Sequence, residues 1–251
     1  MEIRHSFGRF ISILFIVALG VAFFSGIRAS EPSMKITGDA YFDKSDLMDI
    51  KAVSTLGITE DDVKAVRNVK GVGKAEGAYS ADFLNIKNKK QYVLHVMSGV
   101  KDMNKITVSE GRMPEKVGEC LVDEWYAQQN DLKTGDVLNL SSGNEDDLKD
   151  TLKDTTYKIT GIGSSSEYLS RSRGSTGIGT GTLSGFIVVQ PSEFSSDIYT
   201  EVYLTAKGAK QERAYSDAYK NKVKQLEEEI KDISKIENEK RLKSVQKEAE
   251  E

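Results

Sequence analysis

The chain has 251 residues, 38% of them hydrophobic and 29% charged, with a formal net charge of -4. Nucleic-acid binders normally carry a basic stripe, so this balance argues against a nucleic-acid partner. A single cysteine, Cys120, excludes an internal disulfide, and two histidines, His5 and His95, are too few for a histidine-based metal cluster.

The first element is apolar. Arg4, His5 and Arg9 lead into FISILFIVALGVAFFSGI, Phe10 to Ile27, which is 18 residues without a charge. As a helix this run spans about 27 Å, close to the hydrocarbon thickness of a bilayer. Ser12, Gly20, Ser25 and Gly26 are tolerated there because a helix satisfies its own backbone, and small residues also suit helix packing. A core helix of a soluble domain would show a polar face, and this run shows none. The expectation is a membrane helix within residues 1–30, limited by Phe10 and Ile27. The preceding basic residues favour a cytoplasmic N-terminus and an exported remainder. A cleaved secretion leader is the competitor, with Ala29 and Ser30 as small residues near its end. Against it stand an apolar core longer than the usual run of roughly 7–15 residues and Arg28 at the cleavage position.

Residues 31–208 read as an exported α+β domain. Thr59 followed by Glu60, Asp61 and Asp62 is an N-cap with acids in the first turn. Val63, Val66 and Val69 then recur at helical spacing, and Gly71 is the expected terminator. Short apolar runs at 83–86, 92–97 and 107–108 read as strands separated by hairpin-type Lys and Asn clusters. DEWYAQQN, 123–130, reads as a short helix. GDVLNL, TTYKITGIG, GFIVVQ and EVYLTA complete a mainly antiparallel or mixed sheet of six or more strands. SSGNEDDLKDTLKD, between two of these strands, reads as a solvated acidic insertion without the spacing of a calcium loop.

RGSTGIGTGTLSG, residues 173–185, looks at first like a phosphate cradle. No Lys follows its glycines, and the next residues, Phe186 to Val189, read as a strand and not a helix. The run is therefore expected to be an exposed loop. Gly174, Gly177, Gly179, Gly181 and Gly185 are its candidate partner-contact residues. No cofactor is implied.

Catalytic chemistry finds no support. His95 sits in an alternating strand pattern, and Cys120 in GECLVDEW reads as a small core residue. Asp123 and Glu124 are explained by helix capping. No catalytic or metal-binding constellation is assigned, and the chain is read as a non-enzyme.

Residues 209–251 change character. From Lys210 to Glu251 there are eleven Lys/Arg and eleven Asp/Glu, with neither Gly nor Pro. Val223, Leu226, Ile230 and Ile233 form the 3-4 seam of a coiled coil. The seam fails at Glu237 and Lys240 and resumes out of phase at Leu242, Val245 and Ala249, closer to an eleven-residue repeat. The expectation is the first arm of an antiparallel hairpin, truncated, whose apolar stripe needs a partner helix.

Three blocks carry a family resemblance. ITEDDVKAVRNVKGVGKAEG resembles the helix-then-strand start of the extracytoplasmic domain of FtsX-like ABC transporter permease subunits of MacB-type architecture. SEGRMPEKVGECLVDEWYAQQNDLKTGDVLNL resembles the central block of that domain, and YKITGIG its return strand. The charged tail resembles a subgroup with a long extracellular coiled-coil insert. At LKTGD the usual Leu-Gly-Leu lead-in is replaced by Asn130-Asp131-Leu132.

This resemblance implies a MacB-like core domain and a non-catalytic subunit in the cell membrane, working as a permease dimer. A separate cytoplasmic ABC ATPase would hydrolyse ATP, and its closure would move the membrane helix and the outer domain. The output would be export or force transmission to an extracytoplasmic protein partner. The competing reading is a secreted or membrane-anchored binding protein with a coiled-coil stalk and no ATPase. An extracytoplasmic hydrolase would need a nucleophile with a base in reach.

Overall fold

The computed structural model describes residues 7–143 and 148–250, the stretch beyond 235 mainly as backbone. The chain divides into two units, Met1–Tyr41 and Phe42–Glu251.

The first unit is nearly all helix. Helix α1 runs from Phe7 to Lys44 and buries none of its residues against the chain. It is long and apolar enough to cross a membrane. The expected limit at Ile27 is not a helix end: α1 continues without a break for another 17 residues, through Pro32. Proline lacks a backbone donor and disfavours the helix interior. The polar residues after Ile27 still favour continuation, with Glu31 and Lys35 bridging one turn at 2.8 Å.

The second unit is α+β, as the sequence implies, but among the described residues it holds ten strands in two sheets. The smaller sheet has the order β1-β10-β2, formed by Ile50–Ile58, Tyr199–Ala206 and Val72–Ala78, all antiparallel. Strand β1 was not legible as a separate element. In the larger sheet β3 (Ser80–Lys87), β4 (Lys90–Ser98), β9 (Gly185–Val189), β6 (Glu119–Asp123), β8 (Thr156–Ser164) and β5 (Thr107–Gly111) are neighbours in that order. Strand β7, Val137–Asn139, pairs with β8. The sheet is mixed, since β4–β9 and β6–β8 are parallel.

Local chemistry accounts for the connections. Asn88 and Lys89 both take positive φ, 51° and 64°, between the paired Lys87 and Lys90. Two left-handed residues in a row match the twist of a two-residue hairpin. The chain passes from the smaller to the larger sheet through Tyr79, whose ring stacks on Phe194 at 5.0 Å and tilts against Tyr199 at 4.9 Å. Helix α2, Glu60–Arg67, has the expected Thr59 cap: Asp62 N–H donates to Thr59 Oγ1 at 3.2 Å, and Thr59 N–H to Asp62 Oδ2 at 2.7 Å. It ends at Asn68, before Gly71, because the Asn68 amide closes the last turn.

The main core lies on the larger sheet, around Leu94, Val122, Tyr126, Tyr157 and Ile187. Leu148 and Leu152 belong to it too, which corrects the reading of 141–154 as wholly solvated. Two leucines spaced four apart can enter a core even where acids and lysines surround them. Residues 144–147 of that stretch lie outside the described residues. Helix α3, Glu124–Gln129, packs Tyr126 and Ala127 into the same core.

Candidate functional site

The last turn of α1 enters the second unit at Phe42–Lys44, and the next five residues bind it to four other segments. Asp46 adopts φ 47°, a left-handed conformation that Asp tolerates. This turn aims its carboxylate at two lysines. Lys210 Nζ donates to Asp46 Oδ1 at 2.7 Å and to the Asp43 carbonyl at 2.8 Å, and Lys105 Nζ donates to Asp46 Oδ2. Lys105, then Lys210, hold the Asp46 carboxyl down at a pKa of about 2. Three residues on, Asp49 Oδ2 accepts from the Ala206 amide at 2.7 Å and Oδ1 from Tyr219 Oη at 2.6 Å. The end of α1 is thus tied to the loop before β5, to β10, to the turn after β10 at Lys210 and to the first turn of the C-terminal helix. None of these residues belongs to a motif recognisable in the sequence. Their signal was three aspartates around Ser45 and Leu47, a turn composition, just before a β-branched run.

The C-terminal helix α4 spans Asp217–Glu250. Its seam does not wait for a partner helix over its first half. Leu226 and Ile230 are buried against Val63, Val72, Val202 and Leu204, with Val223 partly buried beside them. Ile233, half-buried, lines a groove between α4 and β1. Spacing picks out the stripe but does not say what covers it. A 3-4 stripe fits a sheet face as well as it fits another helix. Further on, Leu242 is exposed, while the side chains at 237, 240, 245 and 249 lie outside the described residues.

The glycine-rich segment belongs to a connection of residues 165–184 between β8 and β9. A buried ion pair anchors it. Arg173 Nε and Nη2 donate to Asp123 Oδ2 and Oδ1 at 2.8 and 2.9 Å, with side chains 8% and 0% exposed. The same Asp123 caps α3, accepting from the Trp125 amide at 3.1 Å. Arg171 lies over the Trp125 ring at 4.5 Å. Within the loop, Ser175 and Thr182 form a bridge that folds the glycines into a small hairpin.

The five glycines do not share one role. Gly174, Gly177, Gly179 and Gly181 are exposed. Gly185 is not: it opens β9 in the core, where an added Cβ would lie 2.6 Å from Tyr126 Cβ. That corrects its place among the contact residues, since close packing excludes a side chain. Gly179 combines φ 55° with methyl groups of Leu84 and Val93 at 2.8 and 2.9 Å from a would-be Cβ. Its identity therefore has a backbone and packing reason.

The remaining chemical candidates are structural. His95 Nδ1 and Asp82 Oδ1 are 2.7 Å apart, and the two residues are direct cross-strand partners of β4 and β3. Burial pushes the Asp82 carboxyl up, but hydrogen bonds from His95 and Thr176 outweigh it and hold it below the ordinary value. Cys120 is fully buried, and burial raises its thiol far from the reactive range.

No known family matches the chain by sequence, and no curated protein does so either. Solved domains of similar structure include the following two. One is the extracellular domain of the noncanonic ABC-type transporter YknZ from Gram-positive bacteria, at a TM-score of 0.40 and 13% identity over 63% of this chain and 78% of that one. The other is the periplasmic region of MacB from Actinobacillus actinomycetemcomitans, at a TM-score of 0.40 and 9% identity over 70% of this chain and 74% of that one.

Proposed function

We propose that the chain belongs to a non-catalytic permease subunit of an ABC transporter. It couples ATP hydrolysis by a separate cytoplasmic subunit to movement of an extracytoplasmic domain. One observation carries the reading: α1 passes unbroken from its apolar span to Lys44, where Asp46 and Asp49 bind the chain to Lys210, β10 and α4. A helix continuous with a hydrogen-bonded junction transmits displacement, whereas a flexible linker would dissipate it. The family resemblance of the three sequence blocks supports the same role.

Continuity of α1 also supports an uncleaved anchor over a leader. Ile27 to Ser30 lie inside the helix, and a cleavage site must be presented as extended chain. The N-terminus is cytoplasmic and the α+β unit extracytoplasmic in this reading. Two copies pair in the membrane, and the glycine-rich loop contacts an extracytoplasmic protein.

The test is to tag the full-length gene product, solubilise it from membranes and identify what co-purifies. A stoichiometric ATPase subunit, with ATP turnover in the complex, is the expected result. A product recovered without one, or shed into the medium after loss of its N-terminus, would favour a stalked binding protein instead.

A further inference from the structure

A cleft beside the junction is lined by Phe42, Leu47, Met48, Ser166, Glu167 and Leu169, with Lys51 at its side. Ser166 is only 2% exposed, and its Oγ has no hydrogen-bond partner among the described residues. A buried hydroxyl without a partner keeps its full desolvation penalty, so such groups are rare unless something satisfies them. Next to it the Glu167 carboxyl is half-buried and accepts no hydrogen bond from any described residue. Its backbone amide alone is engaged, with Ser165 Oγ at 3.2 Å.

The surrounding charges decide what could fill the space. Lys51 on β1 is already neutralised by Glu201 on β10, at 2.5 Å, and Glu201 also accepts from Tyr203 Oη. His95 on β4 is paired with Asp82 on β3. Glu167 is the group left without a counter-ion. An anion would meet the Glu167 carboxylate and find Lys51 in the lining already paired with Glu201. A quaternary ammonium would bring charge but no N–H for Ser166. A primary ammonium brings both, and the adjoining wall of Phe42, Leu47 and Met48 suits an alkyl chain.

We propose that this cleft binds the primary ammonium group of a small amphipathic amine, held by the Glu167 carboxylate and Ser166 Oγ, with its alkyl part on Phe42, Leu47 and Met48. This site is independent of the transport reading. Burial pushes the Glu167 carboxyl above its ordinary range, with Glu201 adding to the effect and Lys51 and His95 opposing it. A bound cation stabilises the ionised form, so binding releases a proton where Glu167 is otherwise protonated. Affinity then falls as pH drops through the Glu167 titration.

The test is calorimetric titration of n-butylammonium into the full chain in phosphatidylcholine nanodiscs, with n-butanol as the neutral control. Saturable binding of butylammonium, at least about tenfold tighter than butanol, is expected, because charge-assisted hydrogen bonds distinguish the two. Glu167→Gln should abolish that preference and Ser166→Ala should weaken it by a few fold. In the unaltered protein, which needs no variant to fold, butylammonium affinity should fall as pH is lowered, while butanol binding should not change. Nanodiscs containing phosphatidylethanolamine separate the sources: competition identifies a lipid headgroup, and its absence a soluble amine. Equal binding of butylammonium and butanol, or no saturable binding, would overturn the proposal and leave Ser166 to a trapped water.

Discussion

Two carboxylates clamp loops in this protein by the same chemistry and in opposite surroundings. Asp123 takes both guanidinium nitrogens of Arg173 in a site with no solvent access on the carboxylate side. Asp46 takes Lys105 and Lys210, whose side chains are 57% and 55% exposed. A buried, two-pronged pair is fixed in geometry and becomes costly once half of it is removed. An exposed pair of flexible lysines is screened by water and salt, so it contributes little and can be released. Burial, not the number of hydrogen bonds, separates a permanent anchor from an adjustable one. The adjustable clamp lies at the end of the membrane helix, where the proposed coupling needs movement.

The sharpest way to break this comparison is to halve the buried pair. Arg173→Met, which leaves Asp123 unpaired, should cost about 3–5 kcal/mol in chemical unfolding of the full chain. A loss below about 1 kcal/mol would place this anchor in the same class as Asp46. Leu226→Ala tests whether packing or charge holds α4 to the domain. Deleting a buried leucine costs about 2–5 kcal/mol, and this variant should also free the start of α4 in hydrogen exchange. If instead it does less than Asp46→Asn, the junction is held by its charges.

Asp46→Asn should cost about 1 kcal/mol at most at low salt, less at high salt, and leave the turn intact because Asn also accepts positive φ. The smallest effect is in pH. The Asp46 carboxyl titrates at about 2 against 3.8 for an ordinary aspartate, and Glu119, paired with Arg112, is likewise lowered to about 2. A lowered carboxylate adds stability that is complete above the unfolded value and disappears as pH falls through the folded one. The melting temperature should therefore decline as pH falls from about 4 to about 2, more gently in Asp46→Asn. A decline that the variant leaves unaltered would remove Asp46 from the acid response.

Some of the fold was readable because its causes are local. The Thr59–Asp62 box, the Asp123 cap and the Asn88–Lys89 turn each act over two to four residues, so sequence spacing reports them directly. The candidate site is different. Asp46 meets Lys210 across 164 residues, and Asp123 meets Arg173 across 50. Nothing in the neighbourhood of either aspartate selects its partner. The glycines in 173–185 were visible as a loop, yet only packing distinguishes Gly185, pressed on Tyr126, from Gly181 in free space.

What the sequence determined by itself is the distribution of apolar residues along each element. A run of 18 residues without charge has no polar side to offer water, and a 3-4 stripe must be covered by something. The tertiary structure decided what does the covering. It laid Leu226 and Ile230 on the chain's own small sheet and carried α1 beyond its apolar run to Lys44. Hydrophobic burial has magnitude but no direction. Sequence periodicity therefore states how much surface must be hidden, and only the folded arrangement of distant segments states where.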